Sequence, residues 1–195
     1  MNSTMIRMLL SLALAAALVS ASALAGERQL EAEFVVNASL DEAWTAWTTN
    51  EGLQSFFAPH CRIDPRVKGQ MDIWFSPDAP AGQRGAEGEV VVQFIEKRRL
   101  AFTWAFPPNI PTLRIQRTLV TLDFQALDEN RTRIRFAQIG WGRGDDWNKG
   151  FDYFDEAWNK FVLPRFKHAV EVGPIESGAR PDLAPIADTL KSTTE

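Results

Sequence analysis

The side chains that could act as a nucleophile, a general base or a metal ligand are few in this chain. Its 195 residues include two histidines and one cysteine. His60 and Cys61 are adjacent, and neighbouring side chains on an extended segment point to opposite faces, so they make a poor base and nucleophile pair. His168 lies late in a helical pattern, where a surface histidine is the simpler interpretation. We therefore predict no catalytic residue, no protein-bound metal and no cofactor.

Motifs that bind phosphates or nucleic acids are also missing from the sequence. No serine stands in a G-x-S-x-G elbow, and the GWGRG stretch at residues 140–144 lacks the G-x-G-x-x-G spacing of a dinucleotide-binding turn. The 21 basic and 25 acidic side chains give a net charge of −4, and the short basic stretches RVKGQ and EKRR are no run of the kind that nucleic-acid binding uses. This charge pattern excludes nucleic acid as an expected partner.

The stronger signal is aromatic. Between Trp147 and Val162, apolar residues recur at intervals of three and four, which predicts an amphipathic helix. In several other segments they alternate with polar residues, as on strands with one buried face. The residues expected to line a cavity between this helix and the strands are Trp44, Ile73, Phe75, Phe102, Trp104, Phe106, Phe124, Phe136, Phe151, Phe154 and Trp158.

Two interpretations of these aromatic residues remain open. They can form a closed core, as most aromatic stripes do. Alternatively, they leave an apolar pocket, the usual form of a small-molecule site when a few polar groups are added. Asp72, Thr118 and Gln138 are the polar residues expected to face such a pocket, although a shift of one residue in strand register would turn each of them outward.

The order of the predicted elements places these residues in an α+β fold. We predict strands at residues 29–36, 70–75, 88–96, 100–106, 115–125 and 132–138, most of them in an antiparallel meander because no helices separate them. Ser39 and Glu42 form a capping box that begins a first helix. A second short helix is expected at residues 53–57. The long last helix is expected to kink at Pro164 and to end before Gly173 and Pro174.

The two ends of the chain differ from its middle. Residues 1–25 carry an apolar run that ends in Ala23-Leu24-Ala25, which predicts a signal peptide cleaved after Ala25. We therefore expect an exported protein, periplasmic or secreted, without stable membrane insertion after cleavage. A single cysteine provides no disulfide framework, so one packed domain at residues 26–173 must supply the stability. Residues 174–195 are expected to form a flexible tail.

Several stretches resemble a known family. They are FVVNASLDEAWTAWTTNEGLQSFFAP, VKGQMDIWF, EGEVVVQFIEKRRLAFTW and RTLVTLDFQALDENRTRIRFAQIGW, followed by the spacing of Trp147, Phe154 and Trp158. Residues 31–172 resemble the START/SRPBCC (helix-grip, birch-pollen-allergen-like) superfamily, and within it the homologues of the heat-shock-protein-90 ATPase activator. The resemblance implies a curved antiparallel sheet of about six or seven strands, wrapped around a long C-terminal helix. In contrast to the family's usual two glycines, the chain has Gly69 and Gln70.

The resemblance leaves the function open, because this superfamily includes ligand carriers, polyketide cyclases and co-chaperones. Our first hypothesis is a small apolar or amphipathic ligand bound between the sheet and the last helix. The alternative is an enzyme of the polyketide-cyclase or hydrolase type, with Asp72 transferring a proton in the same pocket. The third is a co-chaperone-like module that binds a protein partner, which the sequence does not identify.

Overall fold

In the computed structural model, which describes residues 28–176, 179 and 181–191, seven strands form one antiparallel sheet. The strands are β1 (Leu30–Val36), β2 (His60–Ile63), β3 (Gln70–Trp74), β4 (Gly85–Ile95), β5 (Arg99–Ala105), β6 (Arg117–Ala126) and β7 (Thr132–Ile139). Their order across the sheet is β1-β7-β6-β5-β4-β3-β2. The predicted meander is confirmed, and β1 joins it by pairing with β7.

Two helices, α1 (Leu40–Thr48) and α2 (Asn50–Gln54), carry the chain from the β1 edge of the sheet to the β2 edge. The predicted capping box is present, because the Glu42 amide donates to Ser39 Oγ and the Ser39 amide donates to Glu42 Oε2. α2 begins before the predicted helix at residues 53–57. The reason is a second cap, in which Thr49 Oγ1 accepts a hydrogen bond from the Gly52 amide at 3.0 Å.

The edge of the sheet at β2 and β3 departs from the sequence-based expectation. β2 was not predicted, because its four residues lie between Pro59 and Pro65 and carry little periodic signal of their own. Its pairing with β3 supplies the missing hydrogen bonds. β3 ends at Trp74, so Phe75 lies just beyond the strand and does not continue the face of Ile73 as predicted.

The long last helix consists of three consecutive parts: α3 (Asp145–Glu156), a π-helical segment (Ala157–Val162) and α4 (Leu163–Glu171). The irregularity predicted at Pro164 therefore lies in the turns before it. Proline has no N–H and its ring collides with the carbonyl four residues earlier in an α-helix. A wider turn relieves that collision, and in it the Leu163 amide donates to the Trp158 carbonyl.

The segment expected to be a flexible tail contains a helix, α5 (Ala184–Lys191). Ala187 and Leu190 lie three residues apart on it and are both buried. Ile175 is also buried, and its amide donates to the Ser55 carbonyl at 2.8 Å. An eight-residue helix with two buried side chains carries too weak a periodicity to be recognised from sequence.

The signal peptide predicted at residues 1–25 lies outside the described residues, and both the peptide and the domain boundaries stay predictions. Within residues 28–176, 179 and 181–191, no helix is both long enough and apolar enough to cross a membrane.

Candidate functional site

Aromatic side chains fill most of the space between the last helix and the sheet. The Trp158 ring lies 4.8 Å from Phe136 and 5.4 Å from Trp104, measured between centroids. Phe57, from the segment after α2, stacks on Trp104 at 5.5 Å, and Phe102 meets Trp104 edge-on at 5.8 Å. All five side chains are buried. Around the π-helical segment the expected groove is therefore a packed core.

Two of the polar residues expected in a pocket belong to this core. Gln138 Oε1 accepts a hydrogen bond from Trp158 Nε1 at 2.8 Å, and Gln138 Nε2 donates to Thr118 Oγ1 at 2.7 Å. The Thr118 hydroxyl in turn donates to the Trp104 carbonyl at 3.2 Å. This chain of hydrogen bonds fastens the last helix to β7, β6 and β5, so Thr118 and Gln138 stabilise the fold.

An open cavity of about 220 Å³ lies at one end of the groove, beside α3. Four of the residues predicted from the sequence line it: Phe75, Trp104, Phe106 and Phe154. The other lining residues come from the loop before β4, the start of β4, the end of β5 and the loop that follows it, and α3; they are Ser76, Gln83, Arg84, Gly85, Ala86, Ala105, Pro107, Pro108, Arg114 and Tyr153.

The remaining predicted residues lie away from this cavity. Trp44 packs against Phe94 and Phe124 at 5.2 Å each, where α1 meets the sheet. Ile73 is fully buried in the core. Phe151 contacts Trp141 at 4.9 Å, and the Arg28 guanidinium lies 3.6 Å above its ring.

A close contact between α3 and the sheet fixes one wall of the cavity. A Cβ atom added at Gly150 would lie 2.5 Å from Phe106 Cε1, so only glycine lets the helix approach this ring as it does. The Phe106 ring also meets Phe154 edge-on at 5.6 Å and Trp147 at 5.1 Å. Phe106 is therefore held on several sides and forms a rigid wall.

Arg114 fixes the opposite wall. Its guanidinium donates hydrogen bonds to the carbonyls of Gly82, Gly85 and Phe106 and so ties the loop before β4 to the end of β5. Burial lowers the pKa of Arg114, while the nearby Glu87 carboxylate opposes that effect. The main task of this guanidinium is to hold the backbone around the cavity.

Two residues of the lining, Trp104 and Arg84, carry buried hydrogen-bond donors that have no partner in the part of the chain that the structure describes. Trp104 is only 4% exposed, and its Nε1 atom has no acceptor. Arg84 Nε is likewise buried without a hydrogen-bond partner. The half-buried Tyr153 contributes a phenol whose pKa is raised by burial. The lining thus combines aromatic walls with donors, and it includes no carboxylate.

The comparisons with known proteins identify the family. The model of the "Activator of Hsp90 ATPase homolog 1-like protein" family matches residues 37–171. The chain belongs to this family. No protein with a curated description matches the chain.

Solved structures share the fold of this domain at low sequence identity. The Aha1 dimer from Colwellia psychrerythraea has a TM-score of 0.57 at 19% identity, with 75% of this chain and 98% of that one covered. An Hsp90 activator from Plasmodium falciparum has a TM-score of 0.54 at 16% identity, covering 74% and 94%. CalU16 from Micromonospora echinospora has a TM-score of 0.56 at 15% identity, covering 85% of each chain. These matches confirm the helix-grip fold expected from the sequence.

Asp72 of this Hsp90-activator-like domain does not line the cavity, in contrast to the sequence-based expectation. Its carboxylate lies 3.2 Å from Arg62 Nη2 and accepts a hydrogen bond from the Gly88 amide at 2.8 Å. Its strand neighbours Met71 and Ile73 are fully buried, so Asp72, between them, points to the other face of the sheet. The contacts with Arg62 and with the Gly88 amide indicate that Asp72 has a structural role.

Three titratable residues outside the cavity, His60, Cys61 and Glu89, have surroundings that explain them structurally. His60 and Cys61 occupy opposite faces of β2 as expected: His60 is exposed and stacks on Trp74, whereas Cys61 is buried. Burial raises the pKa of Cys61 to about 12. Glu89 is fully buried, and burial raises its pKa despite a hydrogen bond from Thr103 and the guanidinium of Arg117 at 3.0 Å.

Arg84, Arg114 and Tyr153 line the cavity but were not predicted from the sequence. The two arginines lie outside the regular strands, where hydrophobic periodicity gives no information about direction. Tyr153 lies on α3 next to the predicted Phe154, but off the apolar stripe. A signal was present for Arg114, because an arginine between two aromatic-rich strands, close to Pro107, Pro108 and Pro111, has many free carbonyls within reach.

Proposed function

We propose that this domain binds a small amphipathic molecule with a single ring in the 220 Å³ cavity beside α3. The observation that carries the proposal is the coincidence of aromatic walls with buried donors that have no partner in the protein. Apolar surfaces with a few oriented polar groups are the usual composition of small-molecule sites.

The volume limits the size of the ligand. An engineered apolar cavity of about 150 Å³ is large enough for benzene, and sites for drug-sized molecules span about 300–1,000 Å³. A cavity of about 220 Å³ therefore suits one ring with a short substituent. A sterol or a long acyl chain would need the space that Trp158, Phe136 and Phe57 occupy.

The chemistry of the lining favours binding over catalysis. A cyclase or hydrolase would need a group in the cavity that takes up a proton at neutral pH. Asp72 is paired with Arg62 outside the cavity, and the raised pKa of Tyr153 keeps its phenol protonated. Both remaining charged residues of the lining, Arg84 and Arg114, are permanent cations.

A half-exposed wall residue provides the test. Phe75 is 49% exposed, so its replacement by alanine removes a wall of the cavity at little cost to folding. We expect Phe75→Ala to weaken the binding of benzyl alcohol about 5–30-fold, as the loss of about 1–2 kcal/mol of contact implies. Binding is measured by titration with NMR chemical-shift changes of the Trp104 indole N–H.

Phe161→Ala is the matched control, because Phe161 is 57% exposed and does not line the cavity. Its affinity for benzyl alcohol is expected to equal that of the unchanged protein. Equal losses in the two variants, or no binding of benzyl alcohol or of other single-ring compounds at millimolar concentration, would refute the proposal.

We also propose that the protein is exported and that its signal peptide is cleaved after Ala25, on the basis of the apolar run that precedes this position. Mass spectrometry of the protein recovered from the secreting host tests this proposal. A mature chain that begins at Gly26 supports it, and an intact N-terminus on protein retained in the cytosol contradicts it.

A further inference from the structure

We infer that the cavity selects an anionic ligand, a single-ring carboxylate, and that Arg84 binds the carboxylate. This inference rests on the proposed function, since it names the class of ligand for the same cavity. It depends on three observations: the charge of the lining, the hydrogen-bond donors of Arg84 that have no acceptor, and the buried indole N–H of Trp104.

The charge of the cavity is opposite to that of the whole protein. The chain carries a net charge of −4, yet the lining includes two arginines and no acidic residue. The two arginines share one carboxylate, that of Glu87, so one positive charge stays uncompensated, and low-dielectric walls concentrate its field inside the cleft. The nearest described carboxylate partner, Glu87, pairs with both arginines but does not line the cavity.

The two arginines have different tasks. The Arg114 guanidinium donates hydrogen bonds to three backbone carbonyls, those of Gly82, Gly85 and Phe106. Arg84, in contrast, makes no hydrogen bond through its buried Nε atom. Glu87 Oε1 lies 3.3 Å from that atom, in an arrangement that makes an ion pair but not a hydrogen bond. The Nη groups of Arg84 make no hydrogen bond to any described residue, so these are the donors that a ligand can use.

The side chain of Arg84 is also held in place. Its guanidinium lies 4.3 Å from the centroid of the Trp74 ring, whose other neighbour is the stacked His60 ring at the same distance. The Arg84 side chain is 25% exposed, so part of it remains open to an incoming group. A planar guanidinium held against an aromatic face is well prepared to bind a carboxylate with two parallel hydrogen bonds.

Trp104 adds a second reason for a ligand that accepts hydrogen bonds. Its buried Nε1–H has no acceptor among the described residues, and a buried donor without an acceptor costs free energy. A ligand oxygen that reached this N–H after a small shift of the ring would remove this cost, whereas an ammonium group would not. Trp104 therefore disfavours a cationic substituent on the ring, and the preference for a carboxylate over a neutral oxygen depends on Arg84.

The test compares three probes of nearly equal size: benzoate, benzyl alcohol and benzylamine. Affinities are measured by NMR titration at low ionic strength, on the full mature protein and on two variants. We expect benzoate to bind at least about tenfold more tightly than benzyl alcohol, the gain typical of a charge-assisted hydrogen bond. Benzylamine is expected to bind most weakly.

Arg84→Gln is expected to abolish most of the preference for benzoate over benzyl alcohol, because it removes the cation that pairs with the carboxylate. Arg66→Gln is the matched control, because Arg66 is a solvent-exposed arginine paired with Asp64 at the opposite end of β3. It removes the same charge and is expected to keep the full preference. A preference that survives Arg84→Gln, or that Arg66→Gln abolishes equally, would overturn the assignment to Arg84.

The outcomes separate this inference from the proposed function. If benzyl alcohol or benzylamine binds as tightly as benzoate, the cavity is a ligand site and the inference about the anion is wrong. If none of the three probes binds, the proposed function fails and the inference fails with it. Tighter binding of benzoate that weakens with added salt and with Arg84→Gln supports both.

Discussion

Gln138 is the residue whose replacement tests how the last helix is fastened to the sheet. It is fully buried and bridges Trp158 on the π-helical segment to Thr118 on β6. Leucine has a similar size and no polar atoms, so Gln138→Leu removes both hydrogen bonds while it keeps the volume of the core nearly unchanged. The variant therefore isolates the hydrogen bonds from the packing.

The expected magnitude follows from what each partner loses. Trp158 is 1% exposed, and in the variant its Nε1–H is left without an acceptor, which costs about 1–3 kcal/mol. Thr118 keeps the hydrogen bond that it donates to the Trp104 carbonyl, so it adds little. We therefore expect a loss of about 2 kcal/mol in the free energy of unfolding, and a melting temperature lower by about 4–8 °C.

Urea unfolding followed by tryptophan fluorescence measures this loss. Gln125→Leu is the control, since Gln125 lies exposed on β6 and only Arg133 contacts its side-chain oxygen, at 3.3 Å. Its stability is expected to stay within about 0.5 kcal/mol of the unchanged protein. If Gln138→Leu were as stable as Gln125→Leu, the hydrogen-bonded chain would not be what fastens the helix.

Three further predictions concern residues around the core. The buried thiol of Cys61, with a pKa of about 12, is expected to resist Ellman's reagent at pH 8 and to react fully in urea; fast native reaction would contradict its burial. Because burial raises the pKa of Glu89 above 4.5, its protonated form favours the fold, and this stability is lost as pH rises through the folded-state pKa. The free energy of unfolding of Glu89→Gln, relative to that of the unchanged protein, should therefore be higher at pH 7 than at pH 4. A relative stability that is the same at both pH values would refute the sign of this effect. Gly150→Ala should lower the melting temperature, although alanine favours helices by about 1 kcal/mol, because its Cβ would lie 2.5 Å from Phe106; a stabilised variant would show that the ring yields freely.

Local chemistry made the architecture predictable. The Ser39 and Glu42 capping box is complete within four residues, so it needed no tertiary information. The alternation of Leu30, Ala32 and Phe34 indicates which face of β1 is buried without reference to its partner strand. For the same reason the apolar stripe of the last helix identified the side that meets the sheet, and the family resemblance supplied the order of the strands.

The candidate site was predictable only in part, because it depends on where packing stops. The aromatic pattern identified Trp104, Phe106 and Phe154 but could not show that Trp158 and its neighbours leave no space. Arg84 was missed because it lies in a loop held by tertiary hydrogen bonds. Asp72 was misplaced because strand alternation shows which residues share a face and does not show which face meets the helix.

The position of the cavity follows from how the two halves of the last helix are held. At the π-helical segment, the wider turn brings Trp158 to Gln138, and a hydrogen bond in a fully packed core leaves no space there. On α3, Gly150 lies against the Phe106 ring, and Ser76, Gln83 and Arg84 form one side of the cavity beside this contact. Arg114 holds that loop through the backbone carbonyls of Gly82 and Gly85, so the side chains of residues 76–84 can change without removing this attachment. Changes in that loop are therefore expected to alter which ligand is preferred. The packing beneath Trp158 is expected to stay the same as long as the fold does.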